Sequence, residues 1–253
     1  MQLHCLGTAG YHPNEDRHTS CYFLPESGIV LDAGTGLFRL ANLIQTPSLD
    51  ILLSHSHLDH VAGLTFLLDV LHQRPVERLR IWGEKEKLDA IRAHLFSRLL
   101  FPVELQAQWC EIDGLDHFSI GNCDITWRQQ DHPGMSVGYR LDWDQGPSLL
   151  YVTDTTGDVS DEATGWYSGA DLMMHECYFS AEHAEWAVKT GHTWTGRLVE
   201  IAAAAAPQRL LLTHVNPLDA DPRSALDEVS TSLLGSGIEI SLADDRAVIE
   251  FGE

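Results

Sequence analysis

Basic residues are scarce: the 253-residue chain has 16 Lys and Arg against 37 Asp and Glu, for a formal net charge of −21. Affinity for nucleic acid comes largely from Lys and Arg neutralising phosphates, so a nucleic-acid polymer is not an expected partner. A small anionic substrate drawn to bound cations remains allowed. Long apolar runs are also missing. None approaches the roughly 20 residues that span a bilayer, so no membrane is expected. Met1-Gln2-Leu3-His4-Cys5 lacks a basic flank followed by an apolar stretch, so no secretory signal is read and a cytoplasmic location follows by default. The five cysteines, Cys5, Cys21, Cys110, Cys123 and Cys177, show neither paired spacing nor Cys-x-x-Cys. They are expected to be reduced and packed as small hydrophobes.

What is present alternates between strand and helix patterns. Short apolar runs at Leu3–Leu6, Cys21–Leu24 and Ile29–Leu31 are bounded by turn residues and read as strands. Asp50–Leu53 reads as a buried strand, followed by helical periodicity over Asp59–Leu71. A strand at Leu79–Trp82 leads to a helix over Glu84–Leu100. Strands follow at Asp124–Arg128, Ser136–Leu141 and Ser148–Val152, the last two joined by the acidic hairpin Asp142–Pro147. The chain closes with strands at Leu172–Met174, Arg209–Leu212 and Ala247–Phe251 among helices over Ala181–Lys189, Thr195–Ala206 and Arg223–Leu234. Two similar halves predict an α/β fold in which two packed sheets carry helices outside. A single domain over residues 1–253 with one continuous core is expected.

The chemistry concentrates in Ser54-His55-Ser56-His57-Leu58-Asp59-His60, where a buried strand meets a helix. His55 and His57 are two apart and project to one side of an extended chain, while Asp59 and His60 turn into the helix. Three imidazoles and a carboxylate so close together match zinc and similar ions. A solvated His-rich turn is the bland alternative. Apolar sequence on both sides argues against it, because burying these polar groups without a ligand is costly.

His55-x-His57-x-Asp59-His60 after an apolar strand resembles the signature of the metallo-β-lactamase superfamily, which implies a four-layer αββα sandwich. Further residues at strand ends are similar to that family's later ligands: His132 in Gln130-Asp131-His132-Pro133, Asp154 after Tyr151-Val152-Thr153, and His214 after Leu211-Leu212-Thr213. The resemblance implies two divalent ions per chain, zinc first, with manganese or iron also accepted by such donors. His55, His57 and His132 would hold one ion and Asp59, His60 and His214 the other, with Asp154 bridging. Ions so held lower the pKa of a shared water from about 15.7 towards 7, supplying hydroxide for hydrolysis. Asp32, in Leu31-Asp32-Ala33-Gly34, is expected to support the ligands from behind.

The branch is narrowed by details. The true β-lactamases place cysteine where Asp154 stands, and the flavodiiron proteins place glutamate at the position of His57. The run His132–Arg140 is similar to ribonuclease Z and its phosphodiesterase relatives, as are His175-Glu176-Cys177 and Gly191-His192-Thr193. The resemblance implies a catalytic set of Asp59, His192 and Glu176, in which His192 protonates the leaving oxygen and Glu176 orients it. One departure stands out: only 21 residues separate His132 from Asp154, leaving no room for the tRNA-gripping arm of ribonuclease Z. A phosphodiesterase acting on small or cyclic phosphodiesters is therefore expected. The alternatives are a ribonuclease Z-type endonuclease, a hydrolase of carboxylic esters, thioesters or lactones, and a metal-binding module without turnover. Relatives commonly form homodimers, a partner on which this sequence is nearly silent. Asn14–Thr19 is read as a solvated turn, with Arg17 and His18 as phosphate contacts the alternative. Trp143, Trp166, Tyr167 and Trp194 are read as core rather than pocket walls.

Overall fold

The computed structural model describes residues 1–252. The chain forms two compact units, Met1–Gly121 with Asp244–Glu250, and Asn122–Ala243 with the residues from Phe251. In the first, β1 (Gln2–Gly7), β2 (Cys21–Leu24), β3 (Ile29–Leu31), β4 (Ser48–Leu52), β5 (Arg78–Gly83) and β6 (Gln108–Glu111) lie side by side in that order; β7 (His117–Ile120), next along the chain, is not a strand of this sheet. Pairing is antiparallel from β1 to β3 and parallel from β3 to β6. The run Ile29-Val30-Leu31 is wholly buried, as befits a strand covered on both faces. Phe23, Val30, Ile51 and Ile81 meet Leu37, Leu64, Leu67 and Leu88 in this unit's core.

The helix expected over Asp59–Leu71 is broken. It consists of α1 (Leu58–Val61), a 3₁₀ turn at Ala62–Phe66 and α2 (Leu67–Gln73). Gly63 causes the break: its N–H donates to the Ala33 carbonyl at 2.8 Å, and a Cβ there would overlap the carbonyl oxygens of Gly34 and Ala33. Gly63→Ala should therefore destabilise the protein by about 1–3 kcal/mol, the usual cost of overpacking, visible as a lower Tm. An unchanged melting curve would refute that reading. The next helix, α3 (Lys85–Ala90), runs into one wide turn at Ile91–Leu95 and is shorter than expected. Arg17 is neither solvated nor directed at a ligand. It is buried, pairs with Asp244 at 2.5 Å and donates to Thr8 Oγ1 at 2.6 Å.

In the second unit β8 (Cys123–Gln130), β9 (Ser136–Trp143) and β10 (Ser148–Val152) pair antiparallel. Parallel β11 (Leu172–Glu176), β12 (Arg209–Thr213) and β13 (Glu239–Leu242) then complete the order. The expected hairpin is found, with Asp142 paired to Ser148. The helices are α4 (Asp161–Tyr167), α5 (Ala184–Thr190), α6 (Thr195–Ala205) and α7 (Arg223–Ser232). Tyr167, Leu198, Ile201 and Val229 from α4, α6 and α7 cover Leu150, Val152, Met173 and Leu212. Neither α4 nor β13 was expected. α4 did carry a legible start: Ser160 Oγ accepts from Ala163 N–H at 3.2 Å, with Asp161 and Glu162 in the first turn. The chain finally returns to the first sheet, where β14 (Val248–Glu250) pairs with β1.

All five cysteines are free. Burial pushes the thiols up, to about 12 for Cys5 and Cys123, so they stay protonated and unreactive. Trp143 packs edge-on against Phe251, Trp166 donates its indole N–H to Thr126 at 3.0 Å, and Trp194 lies under the Arg197 guanidinium. Among the described residues, no helix is long and apolar enough to cross a membrane.

Candidate active site

Two groups of ionisable side chains form at strand ends, one in each unit. In the first unit β3 is followed by Asp32, a fully buried carboxylate whose backbone sits at φ 56°. A non-glycine residue in that left-handed region is uncommon and tends to mark a functional position. Asp32 Oδ1 accepts the Ser54 N–H at 2.7 Å, and Oδ2 accepts both the Ser54 hydroxyl at 2.8 Å and His60 Nδ1–H at 2.7 Å. This fixes the His60 tautomer and leaves Nε2 as the basic nitrogen, 3.3 Å from Asp59 Oδ2. Having given its proton to Asp32, Ser54 Oγ is the acceptor for His55 Nδ1 at 3.0 Å. The His55 ring centroid lies 4.4 Å from both His57 and His60.

In His55 and His60, an Nδ1 bound from behind leaves Nε2 as a lone-pair donor. Metal-ligating histidines are oriented in this way, so the residues fit a divalent cation. Asp32→Asn would swap an acceptor for an amide facing the His60 and Ser54 donors. It should weaken metal binding roughly 10- to 100-fold in competition with a chelator. Unchanged affinity would mean that Asp32 serves only the fold.

The second unit presents a matching group. Asp154 lies two residues beyond β10 at φ 50° and His214 follows β12 at φ 51°, again left-handed and again non-glycine. Asp154 Oδ2 accepts the Thr153 hydroxyl at 2.7 Å and lies 3.2 Å from His214 Nε2, while Oδ1 lies 3.5 Å from His132 Nε2. His132 Nδ1–H donates to the Gly191 carbonyl at 2.8 Å. Gly191, at φ 81°, closes α5 in a left-handed turn, and a Cβ there would run into Pro133 and the His132 ring. Fully buried Glu176 accepts the Thr155 N–H at 2.5 Å and His192 Nδ1–H at 3.0 Å. That leaves His192 Nε2 to exchange a proton. The Tyr178 ring stacks on His192 with centroids 4.5 Å apart and 17° between planes. His175 beside this group is not part of it: burial pushes its pKa down, and its Nδ1–H bonds the Glu176 carbonyl.

The structure thus gathers His55, His57, Asp59 and His60 in one unit and His132, Asp154, Glu176, His192 and His214 in the other. Within the second unit, Asp154, His192 and His214 form one group that could hold an ion, since each offers an atom within 4.8 Å of the others'. Sequence reasoning missed the Gly191 carbonyl, the Ser54 relay and Tyr178. Ser54 was adjacent to the motif and open to notice; the other two act through contacts that no spacing reports.

Two mixed sheets flanked by helices, with histidine and carboxylate clusters at their strand ends, define a metal-dependent hydrolase of the metallo-β-lactamase fold. The model of the β-lactamase superfamily domain matches residues 28–215, and the chain belongs to that superfamily. Ribonuclease Z of Gemmatimonas aurantiaca is 26% identical over 96% of this chain and 96% of its own length. That alignment runs over 307 positions, more than the 253 residues here, so the relative carries segments this chain lacks. Ribonuclease Z of Salinibacter ruber is 28% identical over 86% of this chain and 85% of its own. In fold the chain is similar to the short form of human tRNase Z (TM-score 0.78, 21% identity, all of both chains). It is similar also to the metallo-β-lactamase fold protein YhfI from Bacillus subtilis (TM-score 0.77, 22% identity, 98% and 99% of the chains).

These relatives overturn one expectation: that the partner is a small phosphodiester and not a nucleic-acid polymer. Proteins named ribonuclease Z match along nearly the whole chain, and their substrate is RNA. The physical error lay in reading a net charge as if it were a local field. Basic residues cluster along the sequence: residues 74–98 hold seven Arg and Lys against four Asp and Glu, although Arg80 pairs with Asp50 and Lys85 with Asp89 and Glu111. Arg92 and Arg98 line one groove with Phe96 and Trp109.

Proposed function

We propose that this chain is a phosphodiesterase of the ribonuclease Z type that cleaves phosphodiester bonds in RNA. The observation that carries the reading is the Glu176–His192 pair, with Nδ1 held at 3.0 Å and the ring stacked on Tyr178. A phosphodiester needs its leaving alkoxide protonated, and an imidazole fixed through Nδ1 presents Nε2 for that transfer. Glu176 keeps the tautomer of His192, while the Thr155 N–H holds Glu176 in place. After transfer, water reprotonates His192 for the next cycle.

The residues that would hold metal, following the superfamily's pattern, are His55, His57 and His132 for one ion and Asp59, His60 and His214 for a second, with Asp154 shared. Bound zinc, manganese or iron would bring the pKa of a water into the neutral range and offset charge on the phosphate. Asp59 would also orient that water, its Oδ2 being fixed by the Tyr11 N–H at 2.7 Å.

The test is turnover by metal-replete protein on three substrates: a transfer-RNA transcript with extra nucleotides at both ends, bis(p-nitrophenyl) phosphate, and p-nitrophenyl acetate. Cleavage of the first two, with RNA cleavage weakening steeply as salt rises, is the expected result. Hydrolysis of the acetate alone would overturn the phosphodiesterase reading. Turnover of the small diester without any RNA cleavage would remove RNA as the substrate.

A further inference from the structure

Beside His192 lies a groove of about 290 Å³ that the hydrolytic mechanism does not use, lined by Tyr178, Phe179, Ser180, His183, Asn216 and Asp219 among others. We infer that this groove binds the nucleobase next to the scissile phosphate and favours a base carrying an exocyclic amine. The inference rests on the phosphodiesterase reading and names the part of the substrate that the reading leaves open.

Three features carry it. The groove is continuous with the reacting group, because Tyr178 lines it and stacks on His192. Its walls pair aromatic faces with polar edges, as base pockets do. Phe179 stands edge-on to Tyr178 at 4.9 Å and lies 6.3 Å from the His183 ring, so the aromatic side is continuous. On the polar side the Asn216 side-chain oxygen accepts the Leu218 N–H at 3.0 Å, which turns the amide N–H₂ outwards as a donor. Asp219, whose Oδ1 accepts the Asp221 N–H at 2.9 Å, adds a carboxylate acceptor and no cation. A phosphate would be repelled by that carboxylate. A planar base offering an amine to Asp219 and a ring nitrogen to Asn216 fits both.

Equilibrium binding to the zinc-supplied protein tests the inference without turnover. Adenosine 5′-monophosphate and ribose 5-phosphate share sugar and phosphate and differ only in the base. The nucleotide should bind at least about tenfold more tightly, a difference within what one base stacked on an aromatic side chain supplies. Phe179→Ala and Asn216→Ala should each shrink that ratio and leave ribose 5-phosphate affinity and bis(p-nitrophenyl) phosphate turnover unchanged. Equal affinities in the wild type, or a ratio that persists in both variants, would overturn the inference. Because Phe179 could matter to folding, the half-buried Asn216 provides the second variant, and Tm is measured for both. A protein that binds the nucleotide selectively but hydrolyses no diester would reject the proposed function and keep the subsite.

Discussion

Replacing Asp154 by alanine is expected to lower phosphodiester turnover roughly a thousandfold or more. Metal-ion catalysis contributes several kcal/mol, and each 1.36 kcal/mol is tenfold in rate. Within its own unit Asp154 is the carboxylate that His132 and His214 both approach, at 3.5 and 3.2 Å, and it holds the Thr153 hydroxyl. Its removal leaves two nearly buried imidazoles without the negative charge that would help them bind a cation. Metal content should fall in parallel with activity, and the Tm increase that zinc gives the wild type should shrink. Metal analysis, turnover on bis(p-nitrophenyl) phosphate and melting curves with and without zinc read all three. A variant with full metal content and full activity would remove Asp154 from the centre.

His192→Ala has the second largest expected effect, a loss of about 10² to 10⁴ in kcat with metal content retained. The loss should be greater for a diester with a poor alkyl leaving group than for a p-nitrophenyl diester, whose phenolate departs without a proton. This contrast matters because His192, Asp154 and His214 form a group that could hold an ion by themselves. If His192 were a ligand, the variant would lose metal and both substrates would suffer equally. That outcome would replace the proton-donor role with a ligand role. Glu176→Gln should give a smaller loss of the same kind, because the amide oxygen can still accept from Nδ1–H but the amide N–H₂ then faces the Thr155 N–H that the carboxylate accepts.

Much of this was legible before any coordinates. Strand ends at Leu53, Val152 and Thr213 could be found because parallel strands buried on both faces read as apolar runs, and such strands present their next residues at a sheet edge. The chemistry-bearing residues His55, Asp154 and His214 stand just beyond those runs. The broken helix after Asp59 was not legible. A glycine inside helical periodicity is usually tolerated, and only the Ala33 backbone packed against Gly63 makes it a break. The partner was misjudged for a related reason: a sum over all charges discards their positions, and the basic residues between Arg74 and Arg98 vanish into −21.

The sequence by itself determined the superfamily, the alternation of strands and helices, and the candidate ligands. All of these are encoded in short spacings and in period-two and helical patterns, which survive without knowledge of the fold. The tertiary structure alone decided which partner fixes each imidazole. Asp32 reaches His60 across 28 residues, the Gly191 carbonyl reaches His132 across 59, and Glu176 reaches His192 across 16. Hydrogen bonds are directional and short, so whether such pairs meet depends on how strands are paired and loops are closed. No local pattern in the chain records that.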